Sequence, residues 1–459
     1  MPKNPCQQLT FVIYPFRSTR QTIASTGGSQ MNQKRKPAPP APKPAPAWAA
    51  LEFNLAGRSS FLRIDLDAIL HNIKTLRSRC ASHTDVIAVI KGNAYGHGSV
   101  GLARYLYTNG VQHFAVASAF EGQELRQAGV QGFIQVFGNC VEEEIAVMRQ
   151  YQMTPTVTSE TFLKQWAIWP APVQIPLPAV AIKVDSGMSR NGCQPEELPG
   201  IIKLCDDLGV PIHSLMTHFA QSWDDDKFTQ QQLDTFLAAV KPYRNRGIKL
   251  HAANSAAIIR GVATDLDFIR PGICLYGLAP DSTKKTAQII QDLGLRPALS
   301  WVAHPSMVKR LLPGRHVGYD QTYVLDKEET IATFSLGYAD GYNRLLSSKG
   351  ILTDMDGEEQ RLVGRVSMDA ITVAVKDDTT METPFYIYTA DYTSPNSVTC
   401  VARTIGTIPY EVGTSLSTRL PRLYVTCNTV FTVEGRVTTV VVTDNKPLDE
   451  ESPSKKVKS

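Results

Sequence analysis

The sequence predicts an α/β chain: a (β/α)8 barrel followed by a mainly β domain. Two observations carry this expectation. Between about residues 61 and 280, short apolar or β-branched runs alternate with longer amphipathic stretches, as in a parallel sheet with helical crossovers. After about residue 297 the runs are β-like and joined by Gly, Asp and Pro, as in antiparallel strands with tight turns. The chain has 459 residues, 43% of them hydrophobic and 20% charged. That is room for one barrel plus a smaller domain, and enough apolar material for large cores.

Taken in order, residues 1–60 form a basic, Pro-rich extension. The first 50 contain no Asp or Glu but carry Lys3, Arg17, Arg20, Lys34, Arg35, Lys36 and Lys43, and 37–46 is mostly Pro and Ala. The apolar run at 9–16 is short and lacks a small-residue cleavage site. A disordered arm, a transit peptide and sequence upstream of a true start at Met31 all remain open. The barrel is expected over 61–296, with strands at 86–90, 113–118, 133–137, 154–157, 180–184, 213–217, 250–253 and 268–270. Helices are expected between them, for example at 121–128, 143–150, 199–207 and 229–244. The β domain is expected over 297–445, with strands at 302–308, 329–335, 362–366, 371–375, 385–388, 425–432 and 437–442, interrupted by one helix at 397–407. The tail 446–459 is polar and is expected to fray.

Composition narrows the function. A net charge of +4 is small for this length and gives no global argument for nucleic-acid binding. The run Lys34-Arg35-Lys36 is short enough to be simply solvated. No run of ~18 apolar residues suggests a membrane span. Eight cysteines, none in a CxxC pair, suggest reduced thiols in a cytoplasmic compartment and neither a disulfide framework nor a metal site.

Several strand ends carry reactive side chains. Segment 88–98, AVIKGNAYGHG, runs a buried-looking strand into Lys91 and a Gly-rich turn. At the C-terminal end of a barrel strand such a Lys, desolvated, becomes an amine nucleophile able to form a Schiff base. By spacing alone, a Lys that caps the strand and reaches solvent is the favoured reading. Segment 182–192, IKVDSGMSRNG, brings Lys183, Asp185 and Arg190 to another strand end, as a polar network or an ordinary charged turn. His218 in 216–219, MTHF, alone reads as a structural histidine. Segments 251–255, HAANS, and 269–273, IRPGI, end strands with small residues whose free N–H groups suit a phosphate. In the β half, 318–323 (GYDQTY), 336–342 (LGYADGY) and 364–369 (GRVSMD) are Gly-punctuated polar turns, and Tyr410 lies in 409–412, PYEV.

In this order and spacing, together with IDLDA at 64–68 and LPR at 420–422, these segments resemble the alanine racemase family, which uses pyridoxal 5′-phosphate. The resemblance runs from about residue 61 to 424. It implies a barrel plus β domain, and a homodimer whose active sites are each completed by the partner's β domain. It implies that Lys91 holds the cofactor covalently and is the base on the D-face, and that Tyr319 of the other subunit is the base on the L-face. Tyr95, Tyr410, Ser255 and the backbone at Gly272 and Ile273 would contact the phosphate. His218 would pack on the cofactor ring and Arg270 would face its nitrogen. Arg190 and the Met368 turn would serve the substrate. Lys183 matches a position that is N-carboxylated in some members. The product, D-alanine, is one used for cell-wall peptidoglycan.

Two departures bear on substrate range. Gly318-Tyr319-Asp320 stands where many members have Ser-Tyr-Gly, and Asn191 follows Arg190 where a hydrophobic residue is frequent. Both are similar to broad-specificity amino-acid racemases of the superfamily, whereas RPGICLYG at 270–277 resembles ordinary alanine racemases. A decarboxylase of the same fold would place a Cys and different acidic residues in the β domain. A pyridoxal-phosphate carrier protein would resemble the barrel alone.

Overall fold

The computed structural model describes residues 56–138, 140–169 and 176–426, with Glu52 and the backbone of two strands beyond 428. The expectations for residues 1–51, and for the tail 446–459, lie outside the described residues.

Eight parallel strands close the barrel: β2 (Asp85–Val89), β3 (His113–Val116), β4 (Phe133–Val136), β5 (Thr154–Val157), β6 (Val180–Lys183), β7 (Ile212–Met216), β8 (Lys249–His251) and β9 (Phe268–Ile269). Strand β9 returns to β2, pairing Asp85 with Phe268 and Val86 with Ile269. Most of their residues are buried. Strands covered on both faces favour the β-branched and small apolar residues found here. All eight expected strands are present, within a few residues of the expected bounds.

Helices cover the barrel, and their starts are written locally. Ser118 accepts a hydrogen bond from Glu121 N, and Glu121 reaches back to the cap, around the start of Ala119–Gln127. Ser159, Asp225, Asn254 and Thr283 each accept a bond from a backbone N–H three residues on. Such caps satisfy donors a helix start would leave bare.

The β domain is an 11-stranded sheet, and its centre departs from the sequence reading. Strand β1 (Ser60–Asp65) precedes the barrel in the chain yet lies inside this sheet, between β10 (Leu299–Ala303) and β19 (Arg422–Thr426). It runs antiparallel to the first and parallel to the second. Trp301 Nε1 donates to Ser60 Oγ across that pairing, at 2.8 Å. The single strand expected at 302–308 is two, β10 and β11 (Met307–Leu311). Pro305, without an N–H, breaks the run. A small hairpin, β12 (His316–Val317) and β13 (Tyr323–Val324), follows. The sheet is completed by β14 (Glu329–Phe334), β15 (Ile351–Asp354), β16 (Glu359–Leu362), β17 (Ile371–Val375), β18 (Phe385–Tyr388), β20 (Thr429–Thr432) and β21 (Thr438–Val441). The expected helix appears at Val398–Ile405, and a second, Pro409–Thr414, follows it.

One continuous apolar core runs through barrel and sheet. The joint between them is polar as well as apolar. Arg422 is 2% exposed and donates to the carbonyls of Gly96, Leu416, Ser417 and Leu420. Tyr424 Oη donates to Gly98 O. A Cβ on Gly96 would collide with the Gly413 carbonyl. The loop that follows Lys91 is therefore clamped to the C-terminal segment.

Candidate active site

The C-terminal ends of the barrel strands open into a cavity of about 500 Å³. Reactive groups collect at this end in (β/α)8 barrels because the βα loops build it. Lys91 enters just after β2, Lys183 at the end of β6, His218 after β7, Ser255 after β8, and Arg270, Gly272 and Ile273 after β9. Tyr95 and Arg190 reach it from the loops after β2 and β6, and Tyr410 from the helix Pro409–Thr414.

The turn behind Lys91 has an uncommon backbone. Gly92 (φ 61°), Asn93 (φ 50°) and Ala94 (φ 53°) are all left-handed, and so is Tyr95 (φ 54°). Gly92 adopts this freely, but a residue with a Cβ loses roughly 1–2 kcal/mol there. Specific bonds offset the cost. Asn93 Oδ1 accepts from Ser99 N at 2.8 Å, Gly98 N donates to Asn93 O at 2.9 Å, and Gly92 N donates to Glu121 Oε1 at 2.7 Å. The turn lets Lys91 and Tyr95 line one cavity although only four positions separate them.

Gly272 and Ser255 form a cradle beside Tyr95. Ser255 Oγ accepts from Gly272 N at 2.9 Å and from Cys274 N at 3.3 Å. With its lone pairs engaged, the hydroxyl is left as a donor. A Cβ on Gly272 would lie 2.5 Å from Tyr95 Oη, so only glycine leaves that space open. The Gly272 N–H is itself committed to Ser255, and this residue serves the cradle by having no side chain. Tyr95 is wedged between Tyr276 and Tyr410, with ring centroids 5.0 and 5.8 Å away. Burial pushes the Tyr95 and Tyr410 hydroxyls well above the usual phenol range, so both stay protonated donors.

Arg270 is 3% exposed and organises the opposite wall. Its Nη1 donates to His251 Nδ1 at 2.8 Å, and its Nη2 donates to Thr217 O at 2.7 Å and Ala252 O at 2.8 Å. Nη2 also lies 3.3 Å from His218 Nδ1. Since a guanidinium only donates, both histidine Nδ1 atoms are acceptors and both rings are neutral. His251 Nε2 then donates to Ser214 Oγ at 3.0 Å. Burial and the Arg270 charge agree with this, holding His218 and His251 well below the usual imidazole value. Burial lowers Arg270 to about 9, so it remains a cation at neutral pH.

Lys91 is pulled below the ordinary lysine value by burial and by Arg190, with Glu121 opposing. Lys183 falls to about 8 through burial, Arg190 and Arg270, with Asp185 opposing. Lys183 Nζ donates to Asn191 Oδ1. The walls thus carry Lys91, Lys183, Arg190 and Arg270, and none of the lining residues is Asp or Glu. Among the described residues, no three His, Cys, Asp or Glu side chains converge as a metal set, and no helix is long and apolar enough to cross a membrane.

The cavity gathers Lys91, Tyr95, Lys183, Arg190, His218, Ser255, Arg270, Gly272, Ile273 and Tyr410. Tyr319 and Met368 are not among its lining residues. Both are exposed, at 69% and 54%. Tyr319 tops the β12–β13 excursion, where Asp320 is left-handed and paired with Arg365 at 2.6 Å. Sequence reasoning missed His251 as the partner of Arg270, and Glu121 behind Lys91. His251 lies in a segment whose signal is its small residues and free backbone, and Glu121 has the sequence position of an ordinary helix-cap residue.

Comparison with known proteins agrees with this geometry. The chain matches the family models "Alanine racemase, N-terminal domain" over residues 64–280 and "Alanine racemase, C-terminal domain" over residues 298–424. It is 35% identical to the alanine racemase of Halothermothrix orenii, covering 80% of this chain and 97% of that protein. It is 37% identical to that of Desulforamulus reducens, covering 79% and 98%. Among solved structures, alanine racemase from Clostridium difficile 630 superposes with a TM-score of 0.74 at 31% identity, covering 83% of this chain and 98% of that one. Alanine racemase from E. faecalis also reaches 0.74, covering 80% and 99%. With both domain models matched in order across the barrel and the sheet, the chain belongs to the alanine racemase family, a family of isomerases.

Proposed function

We propose that this chain interconverts L- and D-alanine with pyridoxal 5′-phosphate held on Lys91, using Lys91 and the Tyr319 of a second copy as opposed bases. The observation that carries this reading is the meeting, in one cavity, of a buried amine of lowered proton affinity and a glycine cradle lined by phenol and serine donors. The residues fit such a cofactor. Its phosphate suits the space that a Cβ on Gly272 would fill, with Tyr95, Tyr410, Ser255 and the Ile273 backbone around it. Arg270 suits the ring nitrogen, and His218, neutral, suits the ring face.

When bound, the cofactor supplies an electron sink that makes the substrate Cα–H acidic. The chain's own residues then move one proton. Lys91 Nζ, whose hold on its proton is weakened by burial and by Arg190, takes or returns it on the D-face. Tyr319 Oη does so on the L-face. A single base tends to return the proton to the face it came from, so racemisation favours two. Arg190 and the backbone at Met368 hold the substrate carboxylate. Arg270 keeps its own protons, committed to His251 and two carbonyls, and presents the ring nitrogen with a donor that gives no proton away. The exposure of Tyr319 and Met368 outside the cavity of their own chain supports a homodimer with shared sites.

D-alanine for peptidoglycan is the use this activity suggests. A broad-specificity racemase is the alternative reading, favoured by Asn191 on the cavity wall. Chiral analysis of product from L-Ala, L-Ser, L-Lys and L-Arg separates the two. D-Ala far ahead of the others is expected, comparable D-Lys and D-Arg would favour the alternative, and no racemisation despite bound cofactor would refute both in favour of a carrier protein.

A further inference from the structure

Glu121 sits behind Lys91, outside the cavity lining, and its two carboxylate oxygens do different things. Oε1 accepts from Gly92 N at 2.7 Å, and Oε2 accepts from Ala117 N at 2.6 Å. Gly92 opens the left-handed turn that follows Lys91, and Ala117 follows the end of β3. One side chain thus ties the backbone beside the amine to the neighbouring barrel strand. A helix cap needs only the contact to its own first turn, which Glu121 makes weakly, at 3.4 Å from Ser118 N. The bond to Gly92, 29 positions away, is beyond that need.

We propose that Glu121 is a positioning residue for Lys91: its carboxylate fastens the left-handed turn to the barrel wall and supplies negative charge to a cavity walled by cations. The proposal rests on Lys91 being the cofactor lysine. The charged and titratable groups that face Lys91 are Arg190, Lys183, His218 and Glu121. Glu121 also acts electrostatically on Tyr95 and Tyr276. His218 is neutral, so Glu121 is the group among these that opposes the loss of the Lys91 proton.

Three variants separate geometry from charge. Glu121→Gln keeps the length but offers one acceptor oxygen to two N–H groups and removes the charge. Glu121→Asp keeps the charge but is too short to span both. Glu124→Gln, on the same helix and touching neither N–H, is the control. The first readout uses apoprotein: competitive labelling of lysines with acetic anhydride across pH 6 to 11 (a range set by ordinary lysine values), with the Lys91 peptide quantified by mass spectrometry. E121Q should move the Lys91 labelling midpoint to lower pH, while E121D and E124Q leave it near the parent value. The other readout is loss of cofactor on dilution, followed by absorbance, which should be about tenfold faster in E121Q and E121D and unchanged in E124Q. An unmoved midpoint in E121Q with parental cofactor retention in both variants overturns the proposal and leaves Glu121 a helix cap. If E121Q does not fold, a parental retention rate in E121D overturns the tether by itself. Borohydride reduction of the loaded parent and peptide mapping tests the underlying reading separately, since an adduct away from Lys91 overturns that reading whatever the variants do.

Discussion

Adding one methyl group at Gly272 should cost most of the phosphate grip, through Tyr95. Gly272→Ala places a Cβ 2.5 Å from Tyr95 Oη and 3.2 Å from its Cζ. The nearer contact is about 1 Å inside ordinary van der Waals separation. The backbone at 272 is not left-handed (φ −110°), so the damage is steric. Tyr95 is 7% exposed and held between two rings, so it yields only by moving its hydroxyl out of the cradle. Losing one hydrogen bond to a charged group is worth about 1.5–3 kcal/mol, or roughly 10- to 100-fold in Kd. Tyr95→Phe removes the same hydroxyl and with it the 2.5 Å contact, leaving only the ring carbon at 3.2 Å. The double variant should therefore bind pyridoxal 5′-phosphate no more weakly than Y95F alone. The assay is fluorescence titration of apoprotein with cofactor across the four-member cycle. G272A at parental affinity, or losses that simply add in the double variant, would refute this account of the cradle.

His97, His213, His218, His251 and His304 are all held below the ordinary imidazole value by burial, His97 and His213 to about 4. The unfolded chain then binds more protons than the native one below pH ~6.5, so stability is complete above that pH and falls as pH drops. Urea unfolding at pH 5 should show a loss of about 2 kcal/mol for each of His97 and His213 relative to pH 7.5, and equal stability at the two pH values would contradict the neutral assignments. If sites are shared between subunits, mixing inactive Lys91→Ala and Tyr319→Phe proteins under conditions of subunit exchange should restore about a quarter of parental activity. Half the dimers are then mixed, with one intact site in two, and a mixture that stays inactive would place both bases in one chain.

Much of the fold was legible because its signals are local. The barrel strands are short, mostly apolar runs ended by Gly-rich or polar turns, and several of the helices that follow start at a Ser, Asp, Asn or Thr cap, so period and punctuation sufficed. Strand β1 was not legible as part of the β sheet. Six residues before the barrel carry no mark that their partners lie at 299–303 and 422–426, and only the closed topology pairs them. The cavity was legible from the residues where chemistry and a strand end coincide, as at Lys91, whereas Arg270 was legible only through the family resemblance. His251 and Glu121 were not, because their importance lies in partners 19 and 29 positions away. The left-handed run through Ala94 and Tyr95 was also invisible, since no local preference favours it and tertiary bonds impose it.

The charge of the cavity bears on the choice between alanine and broader substrates. Lys183, Arg190 and Arg270 bring basic side chains to the cavity wall, and no lining residue is Asp or Glu. The two histidines in contact with Arg270 cannot take a proton without turning an N–H toward its guanidinium, so they add no charge and remove none. On the proposed reading, phosphate at the cradle and a substrate carboxylate at Arg190 would offset part of this excess. A substrate side chain carrying its own cation would meet what is left. Two unit charges 4 Å apart interact by about 1 kcal/mol in water and about 4 at the effective permittivity of a protein surface. One unscreened neighbour therefore costs fivefold or more in binding. Asn191 does not provide an anion, because its side chain is neutral, and its Oδ1 already accepts from Lys183. Polar character at position 191 thus serves the lysine beside it and brings no negative charge to a lysine or arginine substrate. The electrostatics favour small neutral side chains, and among these the methyl group of alanine requires no partner in the wall.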